Sequence, residues 1–255
     1  MAAPLLQVES LVKNFGALRA TDHVSFDLFP GEIHALIGPN GAGKTSFVAQ
    51  VSGHLTPDAG RIVFDGTDVT QTSVHERVAC GLARSFQITR LFKSFTVRDN
   101  IALSVQARSG SSLSFWRPVA SEVALYREAD AILERLMLID KADALASELA
   151  HGEQRVLEIG LALATQPRVL LLDEPMAGVG PDESRQLVTL ISSLKAECAI
   201  LLVEHDMEAV FQLADRITVL VNGAMIASGP PEAIRSNPQV VAAYLGDELD
   251  EPSHG

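Results

Sequence analysis

Three groups of residues carry most of the chemistry this sequence could do. The first is "GPNGAGKT", residues 38–45, a match to G-x-x-x-x-G-K-[ST]. Its glycines, Gly38, Gly41 and Gly43, let the chain turn with its backbone N–H groups inward, a cradle for phosphate oxygens. Pro39, Asn40 and Ala42 complete the loop, and Ser46 follows in the first turn of a helix whose N-terminus adds its positive dipole end. Lys44 would reach the outer phosphates, and the Thr45 hydroxyl would bind Mg²⁺. The second group is the pair Asp173–Glu174, closing the apolar run "VLLLDEP". An aspartate there suits a Mg²⁺ ion, and a carboxylate next to it can act as general base toward water. Alone, two acids at a strand end would equally cap the following helix. The third is His205 in "AILLVEHD", flanked by Glu204 and Asp206. A lone histidine is usually structural, but one beside bound phosphate can donate a hydrogen bond to it. A further stretch, "LAHGEQRVLEIG" at 149–160, raises a question: it is a second glycine-centred turn at a helix start, about a hundred residues beyond the first.

The elements that must hold these residues are legible in the hydrophobic pattern. "VLLLD" and "AILLV" are continuous apolar runs, suited to strands buried on both faces of a parallel sheet. Ligands bind outside the carboxyl ends of such strands, where Asp173, Glu174 and His205 would lie. "IHALI" precedes the glycine loop as a strand, and "KTSFVAQVSG" follows it as a helix. The first 35 residues alternate like strands, and "VSFDLF", a turn at Pro30-Gly31 and "EIHALIG" read as a hairpin. "GRIVFDG" at 60–66 is a short strand. "RITVLVNGAMIASG" is a hairpin turning on Asn222-Gly223. The Ser-rich residues 104–120 read as a loop or insertion, and 121–146 show helical spacing. A short helical tail precedes the acidic end "DELDEPSHG".

Composition sets outer bounds. The chain has 255 residues, 47% hydrophobic and only 5% aromatic, so its core must be aliphatic. A net charge of −12 argues against a nucleic-acid binder, which would rest on clustered Lys and Arg. Two cysteines, Cys80 and Cys198, are too few for a disulfide scaffold or a zinc site and read as reduced thiols in a cytosolic setting. The beginning "MAAPLLQVESLVKNFG" has no secretory pattern, and no run of about 18 apolar residues spans a membrane.

Taken together, these motifs resemble the ATP-binding-cassette (ABC) ATPases over residues 5 to about 245. "GPNGAGKT" looks like the Walker A motif, "VLLLDE" like the Walker B with its catalytic glutamate, and "EHD" like the switch-histidine loop. "RSFQITRLF" looks like the Q-loop, with Gln87 as the residue that in this family senses Mg²⁺ and the attacking water. "VKNFGALRA" looks like the adenine-stacking segment, with Phe15 as the aromatic. "LAHGEQR" is similar to the family signature, placing Leu149, Ala150, His151, Gly152 and Glu153 at the nucleotide. In such proteins the signature serves a partner: two cassettes pack head to tail, and the signature helix of one points at the γ-phosphate held by the other. Three positions depart from the family pattern: Ala150 replaces the signature serine, His151 replaces its first glycine, and Gly180 stands where the D-loop usually has Asp.

The resemblance implies an α/β fold: a P-loop NTPase cassette with a parallel-sheet core, an antiparallel β-subdomain and an α-helical subdomain. Residues 1–245 form a single ATPase domain, with the antiparallel part and P-loop core at about 5–90, the helical subdomain at about 91–165, the core continued over 166–245, and a flexible acidic tail at 246–255. Cofactors are ATP and Mg²⁺, the ion held by Thr45, Gln87 and Asp173. "GLARSFQITRLFKSFTVRDNI", the Ser-rich insertion with Trp116, "LAHGEQRVLEIGLAL", "MAGVGPDES" and "VVAAYLGD" resemble the ATPase subunits of bacterial branched-chain amino-acid importers, the longer of the two such subunits. Implied partners are a second cassette, either another copy of this chain or a second, shorter ATPase, together with two integral membrane permeases and, indirectly, a solute-binding protein outside, with this chain on the cytoplasmic side of the bacterial inner membrane. In such proteins the surface carrying Leu91, Phe92 and Phe95 receives a helix of the membrane subunit, although at least one of the three is expected in the core. Trp116 fits either that docking or a mobile loop. Urea and amide importers share these features. A soluble cassette of the iron–sulfur-assembly type and a P-loop kinase or GTPase are the remaining alternatives.

Overall fold

The computed structural model describes residues 3–85, 91–108 and 119–243. Gln87, Trp116 and the acidic tail lie outside the described residues.

The chain begins with β1 (Leu6–Phe15) and β2 (Leu18–Leu28), an antiparallel pair. Then come β3 (Ile33–Ile37), α1 (Lys44–Val51), β4 (Ala59–Phe64), β5 (Thr67–Asp68), α2 (Val74–Cys80) and β6 (Leu82–Arg84). Three helices follow, α3 (Val97–Arg108), α4 (Val119–Arg135) and α5 (His151–Leu163). The remainder alternates: β7 (Val169–Asp173), α6 (Pro181–Leu194), β8 (Ala199–Val203), α7 (Met207–Leu213), β9 (Arg216–Val221), β10 (Ala224–Gly229) and α8 (Pro231–Arg235).

Two sheets result. One is antiparallel, in the order β2-β1-β4-β5; the other has the order β10-β9-β3-β8-β7-β6. From β9 to β6 the second sheet is parallel, and β10 joins it as an antiparallel edge strand. The hairpin expected across Pro30-Gly31 does not form: β2 pairs with β1 in the first sheet, and β3 enters the second between β8 and β9. Turn residues report only a change of direction, and here the chain turns from one sheet to the other. The Asn222-Gly223 hairpin does form, with both turn residues at positive φ, 49° and 79°.

The apolar runs acquire their reason from the layers. Val169, Leu171, Ala199, Leu201 and Val203 face α1 and the antiparallel sheet, in a core with Phe47, Val48, Val51, Phe26 and Ile62. Leu170, Leu172, Ile200 and Leu202 face the other way, onto α3–α6, through Ile101, Leu133, Leu157, Leu187 and Ile191. A strand covered on both faces has no polar side, so alternation disappears.

The helical segments differ from the sequence reading at their ends. The stretch 104–120 is not wholly loop, since α3 runs to Arg108 and α4 starts at Val119. The helix expected over 121–146 stops at Arg135. Met137 takes φ 56°, and the Leu138 N–H bonds back to the Leu133 carbonyl at 2.9 Å, a left-handed cap that buries Leu138. Short 3₁₀ turns at Ile139–Lys141 and Ala146–Glu148 carry the chain on to α5. The apolar spacing beyond Arg135 therefore reflects burial in turns rather than helix.

Candidate nucleotide site

The site lies along the carboxyl ends of adjacent parallel strands. The glycine loop follows β3, His205 follows β8, Glu174 follows β7, and the segment leading to Gln87 follows β6. Register makes the alignment close: Leu36 pairs with Val203, and Val203 with Asp173. The sequence thus separates by more than a hundred residues groups that the sheet places side by side.

The loop itself needs glycine for two distinct reasons. Gly43 has φ 100°, and a Cβ there would lie 2.1 Å from the Ala20 carbonyl oxygen of β2. A Cβ on Gly38 would lie equally close, 2.1 Å, to the Leu220 carbonyl oxygen of β9. Gly41, at φ 77°, meets nothing within 4 Å: it needs glycine's backbone freedom and faces open space. The Asn222-Gly223 turn buttresses the loop from behind, its Gly223 N–H donating to the Ala42 carbonyl at 2.9 Å and its carbonyl accepting from the Asp22 N–H at 2.8 Å.

Lys44 is buried, its Nζ donating to the Gly38 and Pro39 carbonyls at 2.5 and 3.0 Å. Burial lowers its pKa, while the negative fields of Glu174 and Asp173 oppose that shift. The ammonium thus sits within electrostatic reach of both acids. Thr45 is exposed, and the Ser46 carbonyl accepts from Gln50 Nε2 at 3.0 Å. Phe15, ending β1 at the β1–β2 turn, is 50% exposed, with Lys13 Nζ 6.0 Å from its ring centre. An aromatic face left in water is available for stacking.

Asp173 is 1% exposed and forms an ion pair with Arg84, Nη2 to Oδ2 at 2.6 Å. Glu174 stands at φ 48°, a left-handed conformation uncommon for a residue other than glycine, with its N–H on the Val203 carbonyl at 2.8 Å. His205 presents a largely exposed ring, while Asp206 caps α7 by accepting from the Glu208 and Ala209 N–H groups. The donors available fit a magnesium ion: a hydroxyl and a carboxylate, hard oxygens of the kind that ion takes beside phosphate and water.

The signature-like stretch opens α5. Ala150 has no side-chain oxygen with which to cap the helix; instead Glu153 reaches back, its Oε2 accepting from the Ala150 N–H at 3.1 Å and its Oε1 pairing with Lys141 at 2.5 Å. Glu153 therefore serves the helix start. Gly152 is buried, and a Cβ there would lie 2.5 Å from Glu183 Cδ on α6, so the glycine also permits a close helix approach. Glu183 in turn accepts from the Gly180 N–H at 3.0 Å. His151 is exposed at the first position of α5, and Leu149 is buried behind it.

Sequence reasoning passed over Arg84, Arg155, Glu204 and the Gly223 buttress. For Arg84 and Glu204 a signal existed, since the first sits between buried residues and the second closes the buried run of β8, whereas Arg155 lies among the partly buried residues of an amphipathic helix. Gly223 gave only a hairpin turn, and its contact with the glycine loop depends on strand order.

A glycine loop between a buried parallel strand and a helix, facing an acidic pair at the end of a neighbouring strand, defines a P-loop nucleotide-binding protein. Comparison narrows the class. The family described as ABC transporter matches residues 21–177, and the one described as branched-chain amino acid ATP-binding cassette transporter matches residues 224–250. The high-affinity branched-chain amino acid transport ATP-binding protein LivG of Escherichia coli (strain K12) is 41% identical over 257 residues, covering 97% of this chain and all of that protein. The corresponding protein BraF of Pseudomonas aeruginosa is 38% identical, with the same coverage. Among solved structures, the ADP conformation of an ATP-binding cassette from an ABC transporter superposes with a TM-score of 0.85 at 32% identity, covering 96% of this chain and 100% of that one. A nucleotide-free cassette superposes at 0.83, also at 32% identity, covering 95% and 99%. The chain belongs to the ATP-binding subunits of ABC transporters and is an ATPase. No helix among the described residues is long and apolar enough to cross a membrane.

Proposed function

We propose that this chain energises import of branched-chain amino acids, working as one of two head-to-tail cassettes under two permease subunits on the cytoplasmic face of the bacterial inner membrane, with a solute-binding protein delivering cargo outside. The amino-acid specificity is supported by the C-terminal family match and by the relatives' own cargo. The observation that carries the catalytic reading is the alignment of the glycine loop, Glu174 and His205 at the carboxyl ends of β3, β7 and β8.

The adenine base stacks on Phe15. The loop N–H groups of residues 38–43 take the phosphate oxygens, and Lys44 exchanges its loop carbonyls for the β- and γ-phosphates. Thr45 and Asp173 would hold Mg²⁺, with Gln87 as the third ligand that the family resemblance implies, and the ion would supply positive charge against the phosphates. Glu174 accepts a proton from the attacking water, and His205 donates to the γ-phosphate. As the water oxygen bonds to the γ-phosphorus, the bond to the β–γ bridging oxygen breaks and its electron pair leaves on ADP, so the protein's part is positioning and electrostatics. Leu149–Glu153 of the partner close over the γ-phosphate, with the Gly152 backbone rather than the Ala150 side chain supplying hydrogen bonds.

Docking to the membrane subunits falls to the groove between β6 and the helices. A cavity of about 260 Å³ lies there, lined by Val78, Leu82, Arg84, Phe92, Ser104 and Thr165 among others. Phe92 and Phe95 are 57% and 44% exposed with ring centres 5.5 Å apart, while Leu91 is buried.

Glu174→Gln tests the reading. The variant binds ATP and dimerises stably, with turnover reduced by about two orders of magnitude or more. Near-normal turnover would assign the base to another group.

A further inference from the structure

Glu174 is held in a conformation that a glutamate does not choose, and two buried charges surround the turn that imposes it. Arg155, 8% exposed, lies one turn into α5. Its Nη2 donates to the Asp173 carbonyl at 3.0 Å and the Glu174 carbonyl at 2.5 Å, and its Nε to the Pro175 carbonyl at 3.1 Å. Its Nη1 is held by Glu158 Oε2 at 2.8 Å. At the next residue of the turn, Glu204, 1% exposed, accepts from the Met176 N–H with Oε1 at 2.7 Å. Its Oε2 takes the N–H groups of His205 and Asp206 at 3.0 and 3.4 Å.

We propose that Arg155 and Glu204 are positioning residues for Glu174: the buried cation grips the carbonyls of residues 173–175, the buried anion grips the amide of residue 176, and between them the glutamate is locked at φ 48°. The inference rests on Glu174 being the base. Burying a charge is costly unless it is well hydrogen-bonded, and charge-assisted bonds to a backbone turn are the form of compensation seen here. Backbone strain at a reacting residue persists only where its surroundings over-determine it. The placement has a second consequence. Arg155 extends from the helix whose first turn is offered to the partner's nucleotide, and Glu204 carries the amide of His205. Each neighbour of the γ-phosphate is therefore joined by one side chain to the same catalytic turn.

The test uses the purified full chain and compares Arg155→Met, Arg155→Lys and Glu204→Gln, alone and combined with Glu174→Gln. ATP affinity is read from the nucleotide-induced rise in Tm, and chemistry from kcat and single-turnover rates. Arg155→Met and Glu204→Gln are expected to lower kcat on the order of ten- to a hundred-fold with little change in KM, because the loop that binds nucleotide is untouched. Arg155→Lys keeps the charge and recovers part of the rate. Combined with Glu174→Gln, neither substitution lowers the residual rate further, since both act through that carboxylate. A fall of the same size in the Glu174→Gln background, or a normal kcat in the single variants, overturns the proposal. Should Arg155→Met not fold, Arg155→Lys and the near-isosteric Glu204→Gln carry the test. Full turnover by Glu174→Gln alone would instead refute the base assignment, a result separable from the other two.

Discussion

At the residue scale, the chain uses buried charge in two ways. Lys44 is a cation that nucleotide phosphates would satisfy better than the loop carbonyls it now holds. Lys44→Ala removes the only side-chain charge inside the glycine loop, and loss of ATP binding is expected, read as loss of the ATP-dependent rise in Tm. His34 illustrates the structural use. It is buried between Phe26, stacked at 4.1 Å, and the Thr218 hydroxyl, 2.8 Å from Nε2. Because the Asp27 carbonyl can only accept, Nδ1 carries the proton and Nε2 accepts from Thr218. Burial, aided by the positive field of Arg216, lowers its pKa to about 3. Above pH 6.5 the ring is neutral in both folded and unfolded chains. Below that pH only the unfolded chain takes the proton, so stability falls with falling pH by up to about 1.4 kcal/mol per unit until roughly pH 3. Denaturant titrations between pH 7 and 4.5 should show this slope flattened in His34→Gln.

At the element scale, what could be foreseen follows from how local each cause is. β7, β8 and α1 were legible because a strand covered on both faces must be apolar throughout and a glycine loop must be followed by a helix start. The β2–β3 hairpin was misread because Pro30-Gly31 specifies a turn and not the sheet that the next strand joins. The end of α4 was missed because a left-handed cap at Met137 carries no glycine to announce it. That the glycine loop, Glu174 and His205 would lie at strand ends was readable from the apolar runs before them, whereas Arg84 on Asp173 and Gly223 behind Ala42 depend on strand order, which local patterns do not encode. The β9–β10 turn offers a prediction at this level. Gly223→Ala puts a Cβ 2.9 Å from the Arg19 carbonyl oxygen, at a positive φ that alanine resists by about 1–2 kcal/mol. Thermal unfolding should show a lower Tm and a smaller ATP-induced shift, because the same turn supports the glycine loop.

For the whole molecule, the layered core holds a nucleotide rim on one edge, while the helices α3–α5 lie against the other face of the same sheet and carry the groove beside Phe92. Converting Phe92 and Phe95 to serine should leave ATP turnover of the isolated protein intact and abolish transport by the reconstituted complex; equal loss of both would place these rings in the catalytic fold instead.

In the proposed head-to-tail dimer each active site is completed by a second chain. Mixing two inactive variants tests it directly. Glu174→Gln lacks the base, and Gly152→Asp sets a side chain against Glu183 and a negative charge at the signature turn. In a mixed dimer one site inherits both defects and the other inherits neither. Equimolar mixing should therefore restore about a quarter of wild-type turnover, since half of the pairs are mixed and each has one sound site. A mixture as inactive as its components, under conditions where the wild-type chain turns over, would show that the nucleotide site is complete within one chain.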